Sequence, residues 1–313
     1  MRVGIIGAGG ISDTHARAAG AIPGVEVVAV HGANHQKAEA LAQKAGAVAY
    51  KDLDAFLAHP MDIVAIGSPS GVHAEQAIAA VRRGLHVLVE KPLDITTEKI
   101  DAVIQEADRA GVKAGVFFQD RLTPDLVAMK QAIDAGQIGT PVCASGRVKW
   151  YRPPEYYRDS RWRGTKSLDG GGVLMNQAIH TLDTLLWMCG PVARVSARVG
   201  TRLHQIDVED TAAALLEFSN GALGVFEAST AAFPGFPRRI EVTGTTGSMI
   251  HEQDARPALV ADASGHQRVI EDFLAAIRTS GTPACDAREG RRSVALIEAI
   301  YESARHNGGP VTP

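Results

Sequence analysis

The chain has 313 residues, of which 45% are hydrophobic and 21% charged, a balance that excludes a disordered or collagen-like polymer. At roughly 150 residues per domain it is long enough for two cores. Its formal net charge of -3, with Lys and Arg scattered among Asp and Glu, builds no field for a polyanion, so a nucleic acid is not expected as a partner. The three cysteines, Cys143, Cys189 and Cys285, lie far apart and fit reduced cytoplasmic thiols better than a bridge or a zinc site. No run approaches the ~18 apolar residues needed to span a bilayer. The apolar run at 3–6 starts too early to leave room for a signal peptide.

In chain order, short apolar runs at 3–6, 25–30, 63–66, 86–89 and 113–118 alternate with helical patterns such as 37–44, 73–83 and 97–110. Strand, helix, strand repeated predicts a doubly wound parallel sheet over residues 1–120. Beyond that the rhythm changes. A helix at about 124–135 is followed by strand candidates at 192–203, 211–218, 222–229 and 239–243, with Asn220-Gly221 as the best hairpin signal. Two amphipathic helices then fill 267–305, parted by Ser280-Gly281-Thr282-Pro283. Residues 121–313 therefore read as an α+β domain with a largely antiparallel or mixed sheet, and the whole chain as α/β.

Gly7-Ala8-Gly9-Gly10-Ile11-Ser12 follows the first strand and opens a helix, the context in which a glycine-rich loop binds a dinucleotide. Gly7 permits the tight turn, while Gly9, Gly10 and Ile11 present backbone to a pyrophosphate at the helix N-terminus. A carboxylate that would hold the ribose 2′-OH of NAD is missing from 31–34, His31-Gly32-Ala33-Asn34. With His31 and Lys37 close by, the cofactor is expected to be NAD(P), leaning to NADP. Glu90-Lys91-Pro92 ends a buried strand at the edge where such sheets bind ligands, and a lysine there faces the cofactor. In Asp169-Gly170-Gly171-Gly172, three glycines precede a helix and suggest close approach of backbone to ligand. That helix carries Asn176 and His180 at i, i+4 on one face. A His180–Asp183 metal pair finds no further ligand at recognisable spacing, so no metal is expected.

Taken together, the glycine loop with His15, Ser68-Pro69-Ser70 with His73, Glu90-Lys91-Pro92, and the 170–183 stretch resemble the glucose-fructose oxidoreductase/inositol dehydrogenase/MocA family over nearly the whole chain. The resemblance implies an N-terminal Rossmann domain and a C-terminal domain whose open sheet commonly mediates dimers or tetramers. It also implies NAD(P)-linked oxidation or reduction of a sugar, polyol or derivative. Carried onto this chain, it makes Lys91 and His180 the catalytic pair and places Ser68, Ser70, His73 and Glu90 at the cofactor. Asn176 stands where the family often has aspartate. The 156–164 stretch resembles the substrate-side loop, with Trp162 to stack on a sugar and Arg163 to meet a phosphate or carboxylate. The polar segment 251–265, shorter than in relatives, is expected to be mobile. A non-catalytic NAD(P) sensor and an NAD-dependent glycosidase or lyase stay open as alternatives.

Overall fold

The computed structural model describes residues 1–254 and 262–313, so part of the segment expected to be mobile lies outside the described residues. Two compact units divide the chain, the first formed by Met1–Leu122 together with the described residues 262–291. Its strands β1 (Arg2–Ile6), β2 (Glu26–His31), β3 (Val48–Tyr50), β4 (Ile63–Ile66), β5 (His86–Val89) and β6 (Ala114–Val116) are all parallel, in the order β3-β2-β1-β4-β5-β6. Helices α1 (Gly10–Gly20), α2 (His35–Ala45), α3 (Leu53–Leu57), α4 (His73–Val81) and α5 (Thr97–Ala110) alternate with them. This is the expected doubly wound sheet.

Local chemistry explains the boundaries. The β4 segment Ile63-Val64-Ala65-Ile66 is buried at every position, as a central parallel strand covered on both faces requires. The side chains of Asn34, Asp52 and Thr96 cap α2, α3 and α5, and left-handed Gly46 and Gly111 end α2 and α5. Strand order reverses between β1 and β4, and ligands of such sheets bind at the carboxyl ends of the strands beside that point.

The second unit runs from Thr123 through the described residues to 254 and resumes at Arg292–Pro313. It contains α6 (Pro124–Asp134), β7 (Pro141–Lys149), α7 (Glu155–Arg158), α8 (Ile179–Cys189), β8 (Val192–Gly200), β9 (Thr211–Phe218), β10 (Leu223–Ser229), β11 (Arg238–Gly244) and β12 (Ser248–Gln253). The sheet order is β12-β11-β7-β10-β9-β8, antiparallel throughout except for the parallel pair β7 and β10. Asn220-Gly221 forms the expected hairpin turn, Gly221 having φ +90°. Helix α8 packs on β7 and β11. On the sheet, Leu215 and Val225 stand opposite one another at 61% and 45% exposure, with Leu223, two residues before Val225 on the same strand, also exposed.

The chain then returns through α9 (Ala263–Thr279), whose Val269, Ile270, Phe273 and Leu274 join Ile5, Val30, Leu88 and Phe117 in the first unit's core. The final helix, α10 (Ala287–Arg305), passes the division at Arg291. The compact units thus depart from a single cut at 120/121. Residues 262–291 pack with the first unit because the apolar stripe of α9 completes that core.

Candidate active site

At the end of β1, Gly7 adopts φ +118°, where an L side chain is strained, and a Cβ there would collide with Ser12 Oγ and the Gly67 carbonyl. Its N–H donates to His31 O at 2.7 Å, and the Gly67 N–H donates to Ile6 O at 2.7 Å, tying together the ends of β1, β2 and β4. Gly9 is the N-cap of α1, and no side chain caps that helix. A Cβ on Gly9 or Gly10 would meet nothing within 4 Å, so open space lies over the backbone of the first turn, beside half-buried Ile11. A helix N-terminus with open space over it fits a dinucleotide pyrophosphate. At the end of β2, His31 Nδ1 lies 3.2 Å from Tyr50 O, Lys37 is exposed, and the Asn34 side chain is taken up by the Lys37 N–H.

The Glu90-Lys91-Pro92 segment leaves β5 on the same edge. Glu90 was expected at the cofactor, but its carboxylate is turned inward. Oε1 lies 3.0 Å from both His15 Nε2 and His266 Nε2, and Oε2 accepts from the Lys91 N–H at 3.2 Å. Burial opposes the Glu90 charge, yet hydrogen bonds from the two imidazoles prevail and hold its carboxyl well below the usual range. Burial, against the pull of Glu90, holds the His15 imidazolium below its ordinary range, so His15 stays neutral and donates from Nε2. Its ring stacks on Phe117 at 4.4 Å. His15, Glu90 and His266 form the one cluster of potential metal-binding groups among the described residues. The 3.0 Å separations are those of hydrogen bonds. Half-buried Lys91 is followed by a cis peptide bond to Pro92.

The serines and His73 also brace this edge. Both ring nitrogens of buried His73 lie 2.8 Å from backbone carbonyls, those of Pro92 and Ser68. Its ring thus bridges the loops that carry Ser68 and Pro92. Ser68 Oγ donates to Gln76 Oε1 at 2.6 Å, and Ser70 is buried in a short 3₁₀ turn.

In the second unit the expected regular helix is interrupted, for residues Leu174–Ala178 form a π turn that runs directly into α8. Such turns are rare and concentrate at functional sites. Buried Glu209 caps its start, accepting from the Gly172 N–H at 3.0 Å and the Leu174 N–H at 2.9 Å, and Tyr301 donates to it at 3.0 Å. Burial pushes Glu209 up, and burial together with that carboxylate holds the Tyr301 phenol well above its ordinary value. A Cβ on Gly171 would strike the Tyr301 hydroxyl, and one on Gly172 the Glu209 carbonyl. Gly171 and Gly172 thus permit close approach to Tyr301 and Glu209. Asn176, expected to orient substrate, donates from Nδ2 to Asp169 Oδ1 at 2.8 Å, and Asp169 Oδ2 accepts from the Gly164 N–H at 2.8 Å. His180 is half-buried at the start of α8. Asp183, weighed as a metal partner, is instead buried and accepts from Ser293 Oγ at 3.0 Å.

The loop before the glycines is an aromatic and arginine stack. The Arg163 guanidinium carbon lies 4.4 Å from the Tyr156 ring centre and 5.3 Å from that of Trp162; Arg152 lies 5.1 Å from Tyr156 and 5.4 Å from Trp150. Trp162, expected against a sugar, thus already carries a guanidinium. Gln177 Nε2, on the π turn, donates to the Tyr156 hydroxyl at 3.2 Å. The sequence reading missed Glu209, Tyr301, His266, Arg152 and Gln177, which are scattered along the chain and form no local motif.

Comparison with known proteins places these features in a lineage. The GFO/IDH/MocA oxidoreductase profile with its NAD-binding Rossmann fold matches residues 1–118, and the GFO/IDH/MocA C-terminal domain matches 126–250. A myo-inositol 2-dehydrogenase of Thermotoga maritima is 26% identical over 97% of this chain and 96% of its own. A 1,5-anhydro-D-fructose reductase of Ensifer adhaerens is 29% identical over 97% and 96%. Among solved structures, the WlbA dehydrogenase of Bordetella pertussis in complex with NADH and UDP-GlcNAcA superimposes with a TM-score of 0.92 at 32% identity, covering 100% of this chain and 97% of its own. With both halves matched in order and the dinucleotide loop formed, this chain belongs to the GFO/IDH/MocA family of oxidoreductases, with an NAD-binding Rossmann domain.

Proposed function

We propose that the chain transfers a hydride between a nicotinamide and a hydroxyl or carbonyl carbon of a sugar, polyol or sugar derivative, with Lys91 and His180 as its catalytic residues. The observation that carries this reading is the carboxyl edge of the parallel sheet, where the open loop at Gly9 and Gly10 and the Lys91 segment braced by Glu90 occur together. The relatives named above are a dehydrogenase and a reductase of such compounds, and the WlbA structure holds NADH. When bound, the dinucleotide supplies the carbon that accepts or gives the hydride. His180 takes the proton of the substrate hydroxyl during oxidation and returns it during reduction, a contribution of about 10²–10⁴ in rate. The Lys91 ammonium stabilises negative charge on the reacting oxygen. No helix among the described residues is long and apolar enough to cross a membrane. Cytoplasmic residence fits the three free thiols, one exposed and two buried. The apolar sheet face around Leu215 and Val225 supports a homodimer or homotetramer.

Sugars, polyols and their phosphates assayed at 340 nm with each cofactor test the reading. Stoichiometric NAD(P)H formation is expected. Product release without net cofactor reduction would reveal a glycosidase or lyase, and binding without any turnover a sensor. Lys91→Met should keep dinucleotide affinity within a few fold yet lose at least about 100-fold in single-turnover rate; normal turnover overturns the assignment. The missing carboxylate at 32–34 and exposed Lys37 favour NADP. NADPH is therefore expected to bind more tightly than NADH, with Lys37→Ala narrowing the gap; equal affinities or an NADH preference refute this.

A further inference from the structure

Residues 147–166 hold seven Lys or Arg against two carboxylates, in a chain whose net charge is -3. Both of those carboxylates, Glu155 and Asp159, are bound by Arg158. Arg152 and Arg163 are left with aromatic rings only: among the described residues neither side chain forms an ion pair or a hydrogen bond, and Arg152 Nε is buried without an acceptor. Two guanidiniums against one Tyr156 ring repel each other, and partial burial removes the water that would screen them. Stacking returns about 0.5–2 kcal/mol per cation and offers no acceptor for their N–H groups. A guanidinium held in plane by a ring, with its donors unused, is pre-organised for a planar carboxylate or a phosphate. The stack is also joined to the proposed site: Gln177, between Asn176 and His180 in sequence, holds the Tyr156 hydroxyl, and its own buried Oε1 has no partner among the described residues.

We infer that Arg152, Tyr156 and Arg163 form an anion subsite for the substrate, which makes the substrate class an acidic sugar derivative bearing a carboxylate or phosphate, not a neutral sugar or polyol. The Arg152 and Arg163 guanidiniums donate to the acidic group, while Tyr156, anchored by Gln177, sets its distance from the π turn that leads to His180. This assignment rests on the reading of the second unit as the substrate side of an oxidoreductase.

The test is calorimetric titration of the whole protein, first saturated with NADH so that the phosphate loop is filled. Inorganic phosphate, glucuronate, glucose 6-phosphate and glucose are the probes, with Arg152→Gln and Arg163→Gln as variants. Saturable binding of phosphate or an acidic sugar at least 10-fold tighter than glucose is expected. Each variant should weaken it at least 10-fold while keeping NADH affinity and melting temperature. Glucuronate against glucose 6-phosphate tells which acid the subsite takes. Absence of saturable binding by every anion, or anion affinity unchanged in both variants, overturns the subsite. The failure of the oxidoreductase reading looks different: arginine-dependent anion binding with no NAD(P)-linked turnover of any sugar leaves the subsite standing and removes the reaction.

Discussion

Asn176 donates to Asp169, so a carboxylate at position 176 would stand within hydrogen-bond distance of a second, buried carboxylate. Two such groups cannot both ionise cheaply, and one pKa rises in the folded state. A group whose folded pKa is raised contributes its stability below its unfolded value, near 4, and loses it as pH climbs. Asn176→Asp should therefore melt only slightly below wild type at pH 5 and distinctly lower at pH 8, by about 1–3 kcal/mol. Asn176→Ala removes the hydrogen bond to Asp169, costs about 1 kcal/mol, and should show the same deficit at both pH values. Thermal melts of the three proteins at the two pH values decide it, and a pH-independent deficit in Asn176→Asp would mean that Asp169 is not its neighbour. The residue types at 176 and 180 were legible from the sequence. The partner of Asn176 was not, because Asp169 lies seven residues away, beyond a helical turn, and is brought close only by the bend through 170–172.

Three elements meet at Glu90: α1 brings His15, the end of β5 brings the carboxylate, and α9 brings His266 from 176 residues further along the chain. Burial lowers the His15 pKa below its ordinary value of 6.5, so it stays neutral in the fold while the unfolded chain takes up a proton. Stability from this group is complete above about pH 6.5 and falls as pH drops through and below it; the lowered Glu90 pKa extends the loss into the carboxylate range. Melting temperature should thus decline from pH 7.5 to pH 5, and His15→Gln, with no proton to gain, should flatten that decline at the cost of a lower starting value. An equally steep decline in the variant would show that other groups control it. Elements such as β4, β5 and α5 were read almost residue for residue, since buried runs and capped amphipathic helices carry their own signal. The three-residue β3, the five-residue α3 and the strands β7 and β12 escaped. β3 and α3 are too short to show a period, and β12 is largely exposed and lacks an apolar alternation.

At the scale of the molecule, the second unit covers one face of its sheet with α8 and leaves Leu215, Leu223 and Val225 exposed on its strands β9 and β10. Large exposed apolar patches mark interaction surfaces, and directly opposed Leu215 and Val225 form the centre of this one. The double variant Leu215→Glu, Val225→Glu would bury up to four carboxylates in a two-fold contact. Light scattering coupled to gel filtration should show wild type as a dimer or tetramer and the variant at lower mass. The same mass for both, whatever its value, rules out this face as the contact.

What the sequence alone determined is what local chemistry encodes: parallel strands alternating with helices, the glycine loop after β1, Lys91 at the end of β5, and an α+β second half. These follow from the spacing of apolar residues and from backbone angles that only glycine adopts easily. The tertiary structure alone decided which side chains use one another up. It turned Glu90 inward onto two histidines, spent His73 on backbone carbonyls and placed Glu209 beneath the π turn. It also set α9 into the first unit and left Arg152 and Arg163 against a tyrosine with no acidic partner among the described residues. A hydrogen bond depends on an approach of about 3 Å between groups as much as 176 residues apart, and no local pattern in the chain records it.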